Sequence, residues 1–249
     1  MKAEMQTGSY TDIGCVRAVN EDDYYVSEYV NDLGIIYAVV ADGMGGHNAG
    51  EVASSLAIHV ACDYIDANFE PERGAEGVKE LLARALTYAN NSVFSSGSTK
   101  SGLKGMGTTF TMLFICGDRA VAAHVGDSRL YRIRGNEIKM LTRDHSLVEE
   151  LVEIGSITKA QAQEDPRRNV ITRAVGAAAE VDADIFELDI LKEDTYLLCT
   201  DGLTNQLTDE EILNIALKEE SPMHSAEKLI MRAKENGGRD NITVVLLKI

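Results

Sequence analysis

Two apolar runs separated by only two residues constrain this chain more than any other feature of its sequence. TTFTMLFIC (108–116) and RAVAAHV (119–125) are joined by Gly117-Asp118 alone. So short a connection closes an antiparallel hairpin and cannot carry the crossover that parallel strands require. The pattern recurs at once, with RLYRIR (129–134) and EIKML (137–141) flanking Gly135-Asn136. IIYAVVA (35–41), DADIFELDI (182–190), TYLLCT (195–200) and ITVVLLKI (242–249) predict further strands.

Helical patterns are grouped rather than interleaved strand by strand. Val52, Ala53, Leu56, Ala57, Val60, Ala61, Tyr64 and Ile65 keep a 3.6-residue period and predict a helix over 51–68. Val78, Leu81, Leu82, Ala85, Leu86 and Ala89 predict another over about 75–94, and SSGSTKSG (95–102) reads as a mobile connector. Residues 146–170 change character. Ser146 with Glu149 has capping-box spacing, Gly155 would stop that short helix, and Thr158 with Gln161 repeats the pattern. This reads as a small helical insert between strands. Thr208 with Glu211 opens a helix to about 219, and Ser221-Pro222 starts another that ends near Gly237-Gly238. Hairpins with grouped helices predict the α+β class, antiparallel sheets covered by helices.

The chain has 249 residues, 45% of them hydrophobic, so a sizeable core is within reach. Its formal net charge of −16 argues against a nucleic-acid or anionic-membrane surface, which needs a basic patch. Cys15, Cys62, Cys116 and Cys199 stand singly; without a CxxC pair they predict buried, reduced thiols rather than a zinc site. No run of 18 apolar residues predicts a membrane span, and the N-terminus MKAEMQTGSYTDIG has no apolar signal core, so a cytoplasmic location is expected.

The acids carry the chemistry. Asp42 follows the strand 35–41 and leads into Gly43-Met44-Gly45-Gly46-His47. The glycines resemble a phosphate cradle, yet the loop has no lysine and begins with a charge that repels phosphate. Asp127 follows the strand 119–125, Asp201 follows 195–200, and Asp240 precedes 242–249. One such aspartate is ordinarily a turn residue. Four carboxylates that converged would need cations between them, and oxygen ligands suit Mg²⁺ or Mn²⁺. A further cluster, Arg17-Ala18-Val19-Asn20-Glu21-Asp22, reads by itself as a solvated charged stretch.

Other phosphate chemistries fail on the residues. No GxxxxGK[ST] occurs, and six positions beyond the four cysteines lie Glu21, Asn68, Ala122 and Asn205 rather than arginine. The one DxDx[TV] candidate, Asp182-Ala183-Asp184-Ile185-Phe186, fails at its last position, and histidine-rich binuclear motifs are missing. Attack on a phosphate by metal-activated water keeps support.

Six motifs occur in order: Arg17 with Asn20-Glu21-Asp22, Ala41-Asp42-Gly43-Met44-Gly45-Gly46-His47, Gly105-Met106-Gly107-Thr108-Thr109, His124-Val125-Gly126-Asp127-Ser128-Arg129, Thr200-Asp201-Gly202-Leu203 and Asp240-Asn241-Ile242-Thr243. The set resembles the bacterial branch of the type 2C metal-dependent protein serine/threonine phosphatases (the PPM family), from about Gly8 to Leu247. The resemblance implies a single domain over 1–249, a central β-sandwich of two antiparallel sheets with helices on both outer faces, and a flap at 146–170. It implies a two-metal Mn²⁺ or Mg²⁺ centre bridged by Asp42. Asp201 and Asp240 would complete one ion's shell and the Gly43 carbonyl would serve the other. Glu21 and Asp22 would act directly or through water, Asp127 with Asp201 would form a third-metal position, and Asn241 would support these ligands. Arg17 would bind the substrate phosphate and His47 is the candidate acid for the leaving group, although the eukaryotic pattern places its histidine directly after Asp-Gly. Arg167, Arg168 and Arg173 read as solvated rather than as a phosphopeptide anchor.

The implied activity is hydrolysis of phosphoserine and phosphothreonine in proteins, by a monomer that opposes a membrane-anchored Hanks-type kinase. A catalytically weak pseudophosphatase serving as a binding module would lack Arg17 or a metal aspartate, and all are present. A dedicated stress-regulator phosphatase would be expected to carry a sensor domain, for which the chain has no room.

Overall fold

The computed structural model describes residues 5–28, 34–46, 49–71 and 74–249. In chain order its strands are β1 (Gln6–Asp12), β2 (Asp22–Val26), β3 (Ile35–Met44), β4 (Gly107–Thr108), β5 (Phe110–Cys116), β6 (Arg119–Val125), β7 (Arg129–Arg134), β8 (Glu137–Met140), β9 (Asp184–Asp189), β10 (Thr195–Cys199) and β11 (Ile242–Lys248). The helices are α1 (Ala49–Asn68), α2 (Gly74–Thr99), α3 (Leu147–Glu153), α4 (Lys159–Glu164), α5 (Asp201–Thr204), α6 (Asp209–Lys218) and α7 (Pro222–Glu235). One sheet runs β1-β11-β10-β7-β8, the other β2-β3-β5-β6-β9 with β4 beside β3, and all the paired strands are antiparallel. The expected α+β sandwich is thus present. Both hairpins form where two-residue turns were expected.

Strand periodicity builds three apolar layers. On β3, Ile35, Tyr37, Val39 and Ala41 face α1 and α2, while Ile36, Ala38 and Val40 face the opposite sheet. On β10, Leu197 and Cys199 turn outward with α5, α6 and α7, and Tyr196 and Leu198 turn inward. Strands buried on both faces read as continuous apolar runs rather than alternations. Each fully buried aliphatic or aromatic side chain contributes roughly 1.5–3 kcal/mol.

Followed toward one end of the sandwich, the inward positions change chemistry. Ile36, Ala38 and Val40 lead to Asp42, Tyr196 and Leu198 to Thr200, and Leu247 and Val245 to Thr243. Asp22 lies opposite Asp42 across the β2–β3 pair. The inter-sheet layer is therefore hydrocarbon along most of its length and polar at one end.

Several expectations need correction. Asp42 does not end its strand; β3 runs two residues further, because Gly43 and Met44 pair with Thr108 and Gly107. Residues 95–102 are no free connector: α2 continues to Thr99 and a 3-10 turn covers Ser101–Leu103. Apolar packing carries α2 past its Ser/Gly-rich end, with Met106 and Leu103 joining the core there. The strand expected from 182 begins at Asp184. Cys62 and Cys199 are buried, but Cys116 is partly so and Cys15 is exposed. β1 (QTGSYTD) and β2 (DDYYV) carry too few apolar residues to show a strand period in the sequence. Among the described residues no helix is long and apolar enough to cross a membrane.

Candidate metal and phosphate site

The polar end of the sandwich opens into a cavity of about 310 Å³. Arg17, Glu21, Asp42, Gly43, Asp127, Asp201, Asp240 and Asn241 line it, together with Met44, Gly45, Thr109, Asn169 and Ile171. The structure thus gathers the singled-out acids from five separate chain segments. Asp22 is buried below them at 8% exposure. His47 lies outside the described residues. Arg17 is the only cationic side chain among the described residues of the lining.

Each acid is held in a distinct way. Asp22 Oδ2 accepts from Thr200 Oγ1 at 2.8 Å and Thr243 Oγ1 at 2.7 Å. Asp201 opens α5, and its Oδ2 accepts from Asn205 Nδ2 at 2.9 Å. The Asp42 amide donates to Thr109 Oγ1 at 2.8 Å, and its carbonyl accepts from Thr109 N and Thr108 Oγ1, each at 2.9 Å. Asn241 accepts from the Glu21 amide at 2.8 Å and donates to Ile13 O and Val19 O, each at 3.0 Å. It therefore ties the Arg17–Glu21 segment to the start of β11. Asp240 Oδ2 accepts from Arg17 Nη2 at 2.8 Å, a charge-assisted bond that orients the guanidinium.

Gly43 is required by close approach. A Cβ there would stand 2.1 Å from Gly50 O and 2.5 Å from Glu21 O, so no side chain fits between β3, the Glu21 turn and α1. Gly126 has φ +108°, and its Cβ would meet Thr109 Cβ at 2.7 Å. That left-handed turn lets the chain reach Asp127 directly from β6.

Three carboxylate oxygens facing this end are buried without a hydrogen-bond donor among the described residues: Glu21 Oε1, Asp22 Oδ1 and Asp201 Oδ1. Burial, and then the charge of neighbouring acids, raises the carboxyl pKa values. Asp127 is pushed up to about 8, with Asp201 as its main charged neighbour. Asp22 is pushed up to about 7 by burial, although the Thr243 and Thr200 hydroxyls oppose the shift. Asp201 rises to about 6 and Asp42 well above the ordinary carboxylate range, in both cases through burial first. Glu21 is raised by burial against the opposing charge of Arg17.

Converging acids with bare oxygens have the donor chemistry of a hard divalent cation. Among the described residues no three acidic, imidazole or thiol side chains close on one point as a complete ligand set.

Sequence reasoning gave no role to Thr109, Thr200 and Thr243, although they stand in the quoted motifs, nor to Asn205. The usable signal was parity: a hydroxyl or acid at the inward position just beyond an apolar run. Asn169 and Ile171 follow from no local pattern. They reach the cavity because the base of the 146–170 segment is closed by Leu147 N to Val170 O at 2.8 Å and by a Ser146–Ile171 bridge. Of the expected capping pairs there, Thr158 and Gln161 form a full box, and Ser146 accepts from the Glu149 amide. Arg167 bonds Asp165 and Arg173 bonds Asp184, so neither is a free anchor. His124 is buried in β6, bonded to Thr111 Oγ1 at 2.9 Å, and His145 accepts from the Gly126 amide at 3.2 Å; both are structural.

Comparisons with known proteins establish the family. The Protein phosphatase 2C family model matches residues 16–236. A serine/threonine phosphatase stp of Listeria welshimeri is 38% identical over 238 residues, covering 96% of this chain and 93% of that protein. A serine/threonine phosphatase of S. agalactiae superposes with a TM-score of 0.91 at 34% identity, covering 99% of this chain and all of that one. The catalytic domain of the serine/threonine protein phosphatase PstP, solved in complex with 2 manganese ions, superposes with a TM-score of 0.85 at 35% identity over 98% of this chain and 97% of that one. On fold, motifs and near full-length similarity, the chain is an enzyme of the protein phosphatase 2C family.

Proposed function

We propose that this enzyme hydrolyses phosphoserine and phosphothreonine in proteins at a centre of two Mn²⁺ or Mg²⁺ ions. The observation that carries the reading is the set of donor-less buried oxygens on Glu21, Asp22 and Asp201 around a cavity whose described lining has Arg17 as its single cation. Asp42 would be shared between the ions, with Asp201 and Asp240 serving one and the Gly43 carbonyl the other. Glu21 and Asp22 would contribute directly or through water, and Asp127 with Asp201 would offer a third position. Two divalent ions held there supply Lewis-acid charge for the phosphoryl oxygens and a water acidic enough to be the nucleophile at neutral pH.

The chain's own residues do the rest. Arg17, anchored through Nη2 on Asp240, has its remaining N–H donors for two phosphoryl oxygens at once. That orients the ester and stabilises charge that grows in the transition state. Thr200 and Thr243 fix the Asp22 carboxylate from behind, Asn205 fixes Asp201, and Asn241 fixes the Glu21 backbone. Thr109, the one hydroxyl among the described lining residues, already accepts from the Asp42 amide and bonds Ser128 at 2.8 Å. It is thereby committed to structure rather than nucleophilic attack. We assign protonation of the leaving alkoxide to His47.

The chain acts as one catalytic unit, with 146–170 as a flap beside the cleft. The enzyme works as a cytoplasmic monomer that reverses a Hanks-type kinase. The test is p-nitrophenyl phosphate turnover with and without Mn²⁺, for the wild type, Asp42→Ala and Asp201→Ala. Full activity in EDTA, or in both variants, sinks the two-metal reading. For His47, His47→Ala is compared on a phosphopeptide and on p-nitrophenyl phosphate, since an acid helps a poor leaving group more. Equal small losses on both substrates would remove that role.

A further inference from the structure

Asn90 lies in the apolar face of α2 beside Ala89 and Val93 and is 1% exposed. A buried amide needs partners, and each of its partners lies off the helix. Its Oδ1 accepts from the Gly176 amide at 2.7 Å, and its Nδ2 donates to Ala178 O and Ala179 O, each at 3.1 Å. The side chain thus clamps the backbone of a strap, residues 174–179. Gly176 has φ +84°, and a Cβ there would stand 2.1 Å from Val93 Cγ1, so the strap lies directly on the helix.

One residue before the clamp, Val175 exchanges two backbone bonds with Thr108: Thr108 N to Val175 O at 3.0 Å and Val175 N to Thr108 O at 2.9 Å. This is an isolated bridge: Thr108 is held on its other side by the β3–β4 pair through Gly43, but no second pair joins the strap to β4. Such a bridge opens locally unless its flanks are held. Thr108 Oγ1 in turn donates to Asp42 O at 2.9 Å. Upstream, the same segment contributes Asn169 and Ile171 to the cavity wall. An unbroken series of bonds therefore runs from the middle of α2 through the strap to the backbone of Asp42.

We infer that Asn90 is a positioning residue for the acid site: by clamping Gly176, Ala178 and Ala179 it holds the Val175–Thr108 bridge, which holds Asp42. This rests on the assignment of Asp42 as a cation ligand. A purely structural Asn90 would affect stability alone, whereas a positioning residue also affects cation binding and the local opening of Thr108 and Thr109.

The experiment measures Mn²⁺ binding by calorimetry and amide exchange of the metal-free chain. The variants are Asn90→Ala, Thr108→Val, their double mutant and Asp42→Ala. Tyr37→Phe is the control, because it removes a 2.6 Å bond to Asp66 from the same strand away from the cavity. Asn90→Ala is expected to weaken Mn²⁺ binding by about two- to thirtyfold, the range for residues coupled to a site without touching it. It should also speed exchange at Thr108 and Thr109. The double mutant should bind no more weakly than Thr108→Val alone, since the strap reaches the Asp42 carbonyl through the Thr108 hydroxyl that this variant removes. Tyr37→Phe should lower Tm and leave Mn²⁺ binding unchanged. Wild-type Mn²⁺ affinity and exchange in Asn90→Ala despite a lowered Tm would overturn the inference, as would additive effects in the double mutant. Wild-type Mn²⁺ binding by Asp42→Ala would instead overturn the underlying site assignment. If Asn90→Ala does not fold, Asn90→Asp replaces it; that variant keeps the Gly176 bond and sets a carboxylate against two carbonyls, and the same outcomes apply.

Discussion

Replacing Asp22 by asparagine should stabilise the metal-free enzyme while damaging its function. Asp22 is 8% exposed, and its carboxyl is pushed up to about 7 by burial, with Asp201 and Asp240 adding charge repulsion. In the unfolded chain the group returns to about 3.9. Between these values the folded state holds a proton that the unfolded state has released. The contribution of Asp22 to stability is thus fully present below about pH 4 and is lost as pH rises through about 7. A difference of about three pH units corresponds to roughly 4 kcal/mol at pH 8. The substituted amide cannot ionise, and its oxygen can still accept from Thr200 and Thr243, whose hydroxyls lie 2.8 and 2.7 Å from Asp22 Oδ2. The variant should therefore gain up to about 4 kcal/mol over the wild type at pH 8 in EDTA, or roughly 8–16 °C in Tm at about 2–4 °C per kcal/mol. The advantage should shrink toward zero near pH 4. The measurement is thermal unfolding by circular dichroism from pH 4 to 8, in EDTA and in Mn²⁺, read as the difference between variant and wild type, in which groups remote from the site cancel and the coupled acids Asp42 and Asp201 titrate together with Asp22. In Mn²⁺ the order should reverse, because the wild type gains binding energy that the variant has lost. A variant less stable than the wild type at pH 8 in EDTA, or a difference independent of pH, would refute the reasoning.

Gly50→Ala should abolish turnover in a folded protein, because the new Cβ would stand 2.3 Å from Glu21 Oε1 and 2.7 Å from Gly43 O; activity assays beside circular dichroism decide it. Arg17→Lys should lower kcat/KM by about ten- to a hundredfold on phosphopeptides, since a point charge replaces a fork and one charge-assisted bond is worth about 1.5–3 kcal/mol. Steady-state kinetics with unchanged Mn²⁺ half-saturation is the expected signature. Asn241→Ala removes the bonds to the Glu21 amide, Ile13 O and Val19 O, and urea unfolding should register about 2–4 kcal/mol of destabilisation.

The clearest legible element was the pair of hairpins, because a two-residue turn leaves the chain only one way to continue. Helices α6 and α7 were legible through Thr208–Glu211 and Ser221-Pro222, which act within one helical turn. Residues 95–99 were misread because their Ser/Gly composition opposes a helix that packing against Met106 and Leu103 sustains. The acids of the site were legible as residues beside strand ends, and their order along the chain carried the family resemblance.

What the sequence determined by itself was therefore local: turn geometry, helix caps, apolar periods, and which residues could bear charge. Convergence was decided only by the tertiary structure. Asp42 and Asp22 share a face because β2 and β3 pair in one register, and a shift by a single residue would turn one of them outward. Asp201, Asp240 and Arg17 reach the same cavity only because the second sheet stacks on the first with its polar end aligned. The raised carboxyl groups have the same origin. A carboxylate in an extended chain is solvated; it becomes a strong cation ligand when folding removes its water and sets like charges beside it.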